Sequence, residues 1–238
     1  KVYSWTLRNI PAMSHWTDDF YFDSMMLVAN SYDSPKAMAQ VLAKQMDTSK
    51  STALLKTLAE TITEGATTDT DKLKAIYAYI QGSYQYIPLK LSVCGYKLRP
   101  LEEVINSAYG TEAELTNIFQ GLLRSLGMKA DVCALFDQPN AEAFGLNHTV
   151  LYVTTEADGQ TYRLAPTAAL TKEVAFGNQY CPSLALSTGE IQKAEPQSAS
   201  ISAKAEIALG DKPTATVDAK VSNFFLDIEG NTAKAITA

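Results

Sequence analysis

The chain has 238 residues, a hydrophobic content of 46% and a net charge of −6, which together suit a globular protein with a sizeable core. No apolar run approaches the ~18 residues of a membrane-spanning helix, so no such span is expected. The sequence also lacks a basic stripe with interleaved aromatic residues, which argues against a nucleic-acid partner.

The cysteines and histidines are too few and too scattered for a structural metal site. Cys94, Cys133 and Cys181 show no Cys-x-x-Cys spacing, and the chain has two histidines. One disulfide is possible, and the cysteine count leaves the redox compartment open. We therefore expect neither a metal nor a cofactor.

The beginning of the sequence has the pattern of β structure. Residues 1–10 alternate between apolar and polar side chains, which predicts a strand with one buried face. Residues 20–29 are mostly apolar and predict a second strand. The chain starts with Lys and shows no signal peptide, which is typical of part of a longer protein or of a mature form without its leader.

Helical spacing follows. Ser34-Pro35 predicts a helix start, with serine as N-cap and proline at the first helical position. A second helix is expected to end at residue 65, and a third to run from residue 69 to about residue 80. After a link rich in Tyr, Pro and Gly, residues 100–107 predict a short helix.

The strongest helix prediction begins at Thr111. Glu114 lies three residues later, so the two side chains can form a capping box, and Gly127 is a suitable end. The apolar positions of this helix are Leu115, Ile118, Phe119, Leu122, Leu123 and Leu126. Because this stripe is wide, it predicts a helix buried against a sheet.

Strands are predicted next, at residues 129–136, 146–154 and 160–165. Asp158-Gly159 between the last two is a hairpin signal. Residues 168–198 contain Pro, Gly, Ser and Asn throughout and predict irregular surface.

The end of the chain returns to strict alternation. Residues 201–209 and 215–221 predict a hairpin turning at Gly210-Asp211. A lone hairpin is only marginally stable, so this one needs further strands to pack on. The N-terminal strand, or sequence beyond Ala238, could provide them.

From about Tyr79 to Thr167 the chain resembles the transglutaminase-like members of the papain-like superfamily. The motifs that carry the resemblance are Arg99-Pro100-Leu101-Glu102-Glu103-Val104-Ile105, Tyr109-Gly110, the helix exit Leu122-Leu123-Arg124-Ser125-Leu126-Gly127-Met128, Asn147-His148, and Leu164-Ala165-Pro166-Thr167. In the family, Tyr-Gly is followed by Asp-Cys-Lys-Asp and a leucine-rich helix. His148 resembles the family's catalytic histidine. In the family, the motif Leu-Asp-Pro-Thr supplies the aspartate that completes the triad.

The resemblance implies an α+β fold with a papain-like core, in which a central helix packs on an antiparallel sheet. It divides the chain into a β segment at 1–33 that ends a preceding β domain, the core at 34–195, and a β segment at 196–238 that starts a further β domain. It is strongest to bacterial cell-envelope proteins, in which this domain lies between β-rich domains. It therefore implies an extracytoplasmic location, in the periplasm or cell envelope.

The departures from the family pattern fall on the catalytic positions. Glu112 replaces the nucleophilic cysteine, Thr111 the preceding aspartate and Ala165 the triad aspartate, which leaves His148 alone. In such enzymes the helix N-terminus and the imidazolium lower the pKa of the thiol, and the carboxylate orients the histidine. A carboxylate is a poor nucleophile toward an amide, so the sequence predicts a catalytically inactive pseudoenzyme.

Other interpretations of these residues stay open. Glu112 can be a first-turn residue that only stabilises the helix, and His148 a strand histidine bonded to it. Cys94 can be a relocated nucleophile. Cys133 lies in an apolar strand typical of a core. Cys181 lies in a Pro-flanked loop, and His15 beside Trp16 suits the surface or interdomain packing.

Three functions are consistent with these residues. The first is a binding or scaffolding module whose vestigial cleft holds a peptide, a glycan or a partner domain. The second is an active cysteine protease or transglutaminase-like hydrolase that uses Cys94 with His148. The third is a structural spacer between β domains, without a pocket or a ligand.

Overall fold

The computed structural model describes residues 33–89, 91, 94, 97–135, 150–167, 182–193, 200–208 and 214–222, together with residues 4, 6 and 8. The predicted strand at 20–29 lies outside these residues, as does most of the one at 1–10. Ser4, Thr6 and Arg8 are exposed, as the polar positions of that strand should be.

Three helices open the described core, as the sequence predicts. They are α1 (Pro35–Gln45), α2 (Thr52–Ile62) and α3 (Asp69–Ser83), with a 3₁₀ turn at Ser49–Ser51 before α2. The Ser34 hydroxyl accepts the N–H of Ala37 at 3.1 Å, which confirms the predicted N-cap. α2 ends three residues before the predicted stop at Gly65, whose φ of +83° places it in the following turn.

Two short parallel strands, which the sequence analysis did not predict, lead to the central helix. β1 (Gln85–Ile87) pairs with β2 (Tyr109–Thr111), and α4 (Leu101–Ser107) lies between them in the chain. β2 runs directly into α5 (Glu112–Ser125), the predicted leucine-rich helix. Each strand has only three residues, which is too short for a readable alternation.

A five-stranded antiparallel sheet forms the second layer, which confirms the predicted α+β class. Its strands are β3 (Ala130–Leu135), β4 (Val150–Ala157), β5 (Gln160–Leu164), β6 (Ser183–Ala185) and β7 (Ile191–Gln192), in the order β5-β4-β3-β6-β7. β4 extends three residues beyond the predicted end at residue 154, up to the Asp158-Gly159 turn.

The prediction of irregular surface for residues 168–198 is wrong for residues 182–186 and for strand β7, whereas residues 187–190 between them form a largely exposed turn. β6 pairs with β3 inside the sheet, and residues 182–186 are buried. The apolar signal of β6 is a run of only three residues, 184–186, between Ser183 and Ser187, so the surrounding turn residues dominate the pattern.

Helix α5 packs against one face of this sheet, as its wide apolar stripe predicts. Its buried side chains meet strand residues of alternate positions, among them Val132, Ala134, Leu151, Val153, Leu164 and Leu184. Phe119 is fully buried and contacts the edge of Tyr77 on α3, with ring centroids 5.8 Å apart. The opposite face of the sheet carries a smaller buried cluster: Cys133, Leu135, Tyr152, Ala165 and Ala185.

The tip of the β4–β5 hairpin caps helix α3. Asp158 has a φ of +49°, which aspartate tolerates better than most residues. Its carboxylate accepts the N–H of Thr70 at 2.9 Å and that of Asp69 at 3.4 Å. These hydrogen bonds lower the pKa of Asp158. The N-terminus of α3 is therefore fixed by the sheet as well as by its own N-cap, Thr68.

The predicted C-terminal hairpin is present as β8 (Ser200–Ala208) and β9 (Thr214–Ser222), with nine paired positions. Residues 202–208 of β8 are exposed, and Ile207 keeps 67% of its surface accessible. Within the part of the chain that the structure describes, no other strand pairs with this hairpin.

Two glycines with positive φ allow a test of the packing between α1 and the turn after β6. A Cβ on Gly189 would lie 2.6 Å from the Cα of Lys36 on α1, whereas one on Gly159 would have no neighbour within 4 Å. Gly159→Ala should cost about 1 kcal/mol, the strain of a left-handed alanine. Gly189→Ala should cost roughly 1–3 kcal/mol more, because α1 would have to shift.

The free energy of unfolding in urea measures both changes, with Gly159→Ala as the matched control. Equal losses for the two variants would show that α1 does not approach the turn as closely as described.

Candidate functional site

Glu112, which the sequence analysis places at the nucleophile position of the family pattern, is the first residue of α5. Its carboxylate oxygen Oε1 accepts the backbone N–H of Leu151 on β4 at 2.9 Å. The pairing of β4 with β5 ends at Val153 and Leu164, so it does not reach Leu151, which lies two residues earlier in β4. The side chain therefore joins the start of the central helix to the strand where this pairing has ended.

This bond also bears on the predicted proximity of Glu112 and His148. Leu151 follows His148 by three residues, so Glu112 lies beside the strand that the histidine precedes. His148 itself lies outside the described residues. A direct contact between the two side chains stays a prediction.

Ala165, at the predicted triad aspartate position, follows the end of β5. It is 2% exposed and belongs to the cluster on the sheet face opposite α5. Its carbonyl oxygen accepts the phenolic O–H of Tyr77 at 2.9 Å, and burial raises the pKa of Tyr77. The backbone at this position is thus held by α3, while the side chain is a methyl group in apolar surroundings.

The described cysteines differ in their surroundings. Cys94 is half-buried in the link between β1 and α4, and its carbonyl oxygen accepts the N–H of Lys97 at 3.4 Å. Cys133 is 1% exposed, and burial raises its pKa to about 11, as befits the core residue that the sequence predicts. Cys181 and His15 lie outside the described residues.

A buried ion pair holds the N-terminus of α5, and the sequence analysis found only half of it. Thr111 and Glu114 form the predicted capping box, in which Glu114 accepts the N–H of Thr111 at 2.9 Å. The same carboxylate, 5% exposed, also accepts Nε of Arg99 at 2.9 Å, Nη2 at 3.0 Å and the backbone N–H at 3.1 Å. The guanidinium is the partner that the sequence analysis missed.

Arg99 also reaches the turn between α4 and β2. Its Nη2 donates to the carbonyl oxygen of Tyr109 at 2.8 Å and its Nη1 to the Ser107 hydroxyl at 3.3 Å. The guanidinium carbon lies 4.3 Å from the centroid of the Tyr109 ring, a cation–π contact. One side chain therefore connects the link before α4, the turn after α4 and the first turn of α5.

The electrostatics of this pair favour both charges. Burial alone would raise the pKa of Glu114, but the hydrogen bonds from Arg99 and from the backbone of Thr111 outweigh it, and the pKa is lowered. The hydrogen bonds to Glu114 also raise the pKa of Arg99 against the effect of its partial burial. The pair is ionised at neutral pH.

Tyr86 on β1 is a further site residue that the sequence analysis did not single out. It is 38% exposed. Its pKa is raised by partial burial and by the nearby charge of Glu112. The signal that could have found it is the short segment of residues 84–87 before a proline, in which two tyrosines and an isoleucine favour a strand.

Two open grooves lie at the other end of α5. One, of about 440 Å³, lies around Arg124, Lys129 and Thr155, and the second, of about 240 Å³, lies around Met46 and Gln120. Neither is lined by Glu112. A cleft at Glu112, which the sequence analysis expects for a binding module, stays a prediction.

The described residues contain no group of three or more His, Cys, Asp or Glu side chains able to hold a metal ion. None of the described helices combines the length and apolarity that crossing a bilayer requires. What α5 presents at its start is a carboxylate that accepts a backbone hydrogen bond. This arrangement can stabilise the helix and bind hydrogen-bond donors, but it offers no thiol.

Comparison with known proteins agrees with this fold. Residues 56–164 match the family model described as "Transglutaminase-like superfamily". No curated protein sequence matches the chain significantly.

Two solved structures also align with the chain. A crystal structure of a proposed protease from Parabacteroides distasonis aligns with a TM-score of 0.61 at 24% identity, covering 80% of this chain and 37% of that one. A proposed cysteine protease from Cytophaga hutchinsonii aligns with a TM-score of 0.40 at 12% identity, covering 77% of this chain and 56% of that one. The chain thus spans well under two thirds of either protein.

The Arg99–Glu114 pair gives a stability prediction with a built-in control. Glu114→Gln should lower the free energy of unfolding at pH 7 by roughly 2–4 kcal/mol, because it leaves a partly buried guanidinium without its charged partner. Glu103 faces the same guanidinium at 4.0 Å but is 57% exposed. Glu103→Gln should therefore cost less than about 1 kcal/mol. Chemical denaturation of both variants measures the difference.

The free energy of unfolding that Glu114→Gln loses should depend on pH. Because the pKa of Glu114 is lower in the folded state, its stabilisation is complete above the unfolded-state value of ~4.5 and disappears as pH falls through the folded value. Wild type and Glu114→Gln should therefore converge in stability as the pH falls below ~4. A difference that persists unchanged to low pH would contradict the role of the ionised pair.

Proposed function

We propose that the transglutaminase-like domain of this chain is a catalytically inactive module that binds or scaffolds a peptide, a glycan or a partner domain outside the cytoplasm, at the cell envelope. The location follows from the family resemblance and is part of the proposal. The observation that carries the inactive part is the bond between Glu112 and Leu151.

That bond supports inactivity because it gives the residue at the nucleophile position a structural role. A carboxylate that attacks an amide would form an anhydride, in which the same carboxylate is a good leaving group, so no stable acyl-enzyme would accumulate. In its place Glu112 binds a backbone N–H near the start of β4 and benefits from the positive end of the α5 dipole.

Ala165 supports the same conclusion independently. A triad carboxylate at this position would hold the histidine in the orientation that the chemistry needs. The methyl group of Ala165 is buried beside Cys133 and Tyr152. Restoring a charge there requires the histidine as a partner, since an unpaired carboxylate in this cluster would be strongly unfavourable.

The framework that would present a ligand does not depend on the replaced residues. Arg99 and Glu114 fix the entrance of α5 without any contribution from residue 112 or residue 165. A retained scaffold around a replaced nucleophile is what a binding module requires. A structural spacer without a ligand would not need this scaffold around position 112.

The alternative function is an active cysteine protease or transglutaminase-like hydrolase that uses Cys94 with His148. Two observations favour considering it: Cys94 is only half-buried, and the structural relatives carry protease descriptions. It requires the Cys94 thiol to come within hydrogen-bond reach of the imidazole.

An activity assay separates these functions. The purified chain should show no thiol-dependent hydrolysis of peptide amides and no transamidation above background, and iodoacetamide should change nothing. Cys94→Ala should behave like the wild type. Activity that iodoacetamide abolishes, and that is lost in Cys94→Ala, would establish the alternative and overturn the proposal.

A second experiment tests whether the site itself is preserved. In a Cys94→Ala, Cys181→Ala background, Glu112→Cys should give a thiol with a pKa below the ordinary ~8.5, because it lies at a helix N-terminus beside an imidazole. Ala165→Asp in addition should lower that pKa further by orienting the histidine. The pH dependence of alkylation by iodoacetamide measures both.

The matched control is Lys56→Cys in the same background, at an exposed position in the middle of α2. Its thiol should titrate near ~8.5. If the thiol introduced by Glu112→Cys titrates like this control, the position does not have the surroundings of the family's nucleophile, and the pseudoenzyme interpretation fails.

A further inference from the structure

We propose that the two grooves at the C-terminal end of α5 together form a binding site for a neutral saccharide, with Gln120 and Arg124 supplying its central hydrogen bonds. The inference rests on the proposed binding function, and it names a ligand class and a place for that ligand away from Glu112. Three features of the grooves support it: an unpaired acceptor on a buried side chain, free hydrogen-bonding groups beside it, and the balance of charge in the walls.

The two grooves are joined through side chains that line both of them. These shared residues are Arg124 on α5, Asp131 on β3 and Ser187 in the turn after β6. The groove of about 240 Å³ lies on the α1 side of this row, and the groove of about 440 Å³ lies on the β4 side. Together they fall within the ~300–1,000 Å³ that small-molecule sites occupy.

The orientation of the Gln120 side-chain amide is fixed by its partners. Gln120 is 3% exposed and lines the smaller groove. Its Nε2 donates to the backbone carbonyl oxygen of Met46 and to Oδ1 of Asn117, both at 3.3 Å. Because a backbone carbonyl can only accept, the amide nitrogen must face Met46, and the oxygen Oε1 must face the other way.

The amide oxygen Oε1 of Gln120 accepts no hydrogen bond from any described residue. The hydroxyls of Tyr84 and Thr116 also lack a partner there, but they are fully enclosed. Oε1 is not enclosed in this way, and its residue lines the groove, so it can accept a donor that enters the groove. A side chain this buried normally has its hydrogen-bonding groups satisfied, and a bound donor would satisfy this one.

Arg124 and Asp131 add further hydrogen-bonding groups where the grooves meet. The Nε of Arg124 donates to the carbonyl oxygen of Ala130 at 2.8 Å, which holds the guanidinium in place. Its Nη2 lies 3.9 Å from Oδ1 of Asp131, too far for a hydrogen bond, so neither Nη group donates to a described residue. Asp131 is held through Oδ2, which accepts the Ser187 hydroxyl at 2.6 Å. A ligand at this point therefore meets donors and acceptors side by side.

The charges in the groove walls favour a neutral ligand. Two cations, Arg124 and Lys129, line the grooves together with the carboxylates of Asp47, Asp131 and Glu156. Lys129 already pairs with Glu156 at 3.3 Å, and Arg124 lies near Asp131. An anion would meet the surplus of carboxylates, and a cation would compete with the guanidinium. A ligand without charge avoids both costs.

A saccharide matches this arrangement of acceptors and donors. Each sugar hydroxyl both donates and accepts, so neighbouring hydroxyls of one ring can bind Oε1 of Gln120 and the guanidinium of Arg124 together. An extended peptide finds no free strand edge here, because β3 is paired with β4 on one side and with β6 on the other. The smaller groove also has apolar side chains on which the C–H face of a sugar ring can pack: Ala43, Met46, Val132 and Leu186.

The test follows backbone amide signals of the isotope-labelled full chain by NMR during ligand titrations. Cellobiose, maltose and N,N′-diacetylchitobiose are the saccharide probes, and inorganic phosphate and N-acetyl-trialanine amide are the anionic and peptide probes. At least one saccharide should bind with a Kd below ~10 mM. It should shift the signals of Gln120, Arg124 and Asp131, while those of Glu112 and Leu151 should stay in place.

Variants of the groove locate the saccharide. Gln120→Met keeps the length of the side chain but removes Oε1, and should weaken binding by about 5-fold or more. Gln81→Met on α3 is the matched control and should leave the Kd unchanged: Gln81 also donates through Nε2, to the Tyr77 hydroxyl at 3.1 Å, but it is exposed and lines neither groove. Arg124→Lys keeps the charge but removes the guanidinium, and should also weaken binding by about 5-fold. Circular dichroism checks that each variant is folded.

The outcomes separate this inference from the proposed function. Absence of saccharide binding, shifts confined to other parts of the chain, or unchanged Kd values for Gln120→Met and Arg124→Lys would overturn the saccharide site. Tighter binding of phosphate or of the peptide probe at the same residues would overturn it as well. None of these results would create amide-transfer activity, so the inactive-module proposal would stand. Thiol-dependent activity in the earlier assay would overturn that proposal whatever the saccharide result.

Discussion

The ion pair between Arg99 and Glu114 is the interaction on which the candidate site depends. Glu114 completes the capping of α5, and Arg99 extends that cap to the link before α4 and to the turn before β2. A helix N-terminus leaves N–H groups to be satisfied, and here the same carboxylate also neutralises a partly buried guanidinium. The first turn of α5 therefore occupies one fixed place relative to β1 and β4, and any residue at position 112 inherits that place.

This arrangement explains how the chemistry of such a site can change while its shape remains. The residues that position the helix are Arg99, Thr111 and Glu114, and none of them is the residue that would react. A glutamate at position 112 is therefore compatible with an intact helix start, and it adds a hydrogen bond to Leu151. The buried Ala165 packs in the cluster with Cys133 without any charge to satisfy.

The sequence predicted the features that have a long or chemically distinct signal. The Ser34-Pro35 start, the wide stripe of α5 and its Thr111–Glu114 capping box are all present, because periodicity and capping are local properties. The three-residue strands β1, β2 and β6 were missed because their pairing is decided by distant parts of the chain. For the same reason the site could be predicted only in part: the place of Glu112 followed from helix rules, whereas its bond to Leu151 and the partner of Glu114 depend on tertiary packing.

The cap that Asp158 places on α3 ties together parts of the chain 88 and 89 positions apart. Until the β4–β5 turn docks, the first turn of α3 has backbone donors that only solvent can satisfy, so this helix and the sheet mature as one cooperative unit. Both ends of the bond fall within residues 56–164, the stretch shared with the superfamily. A cut between the helix and the turn would therefore separate two N–H groups of α3 from the carboxylate that caps them.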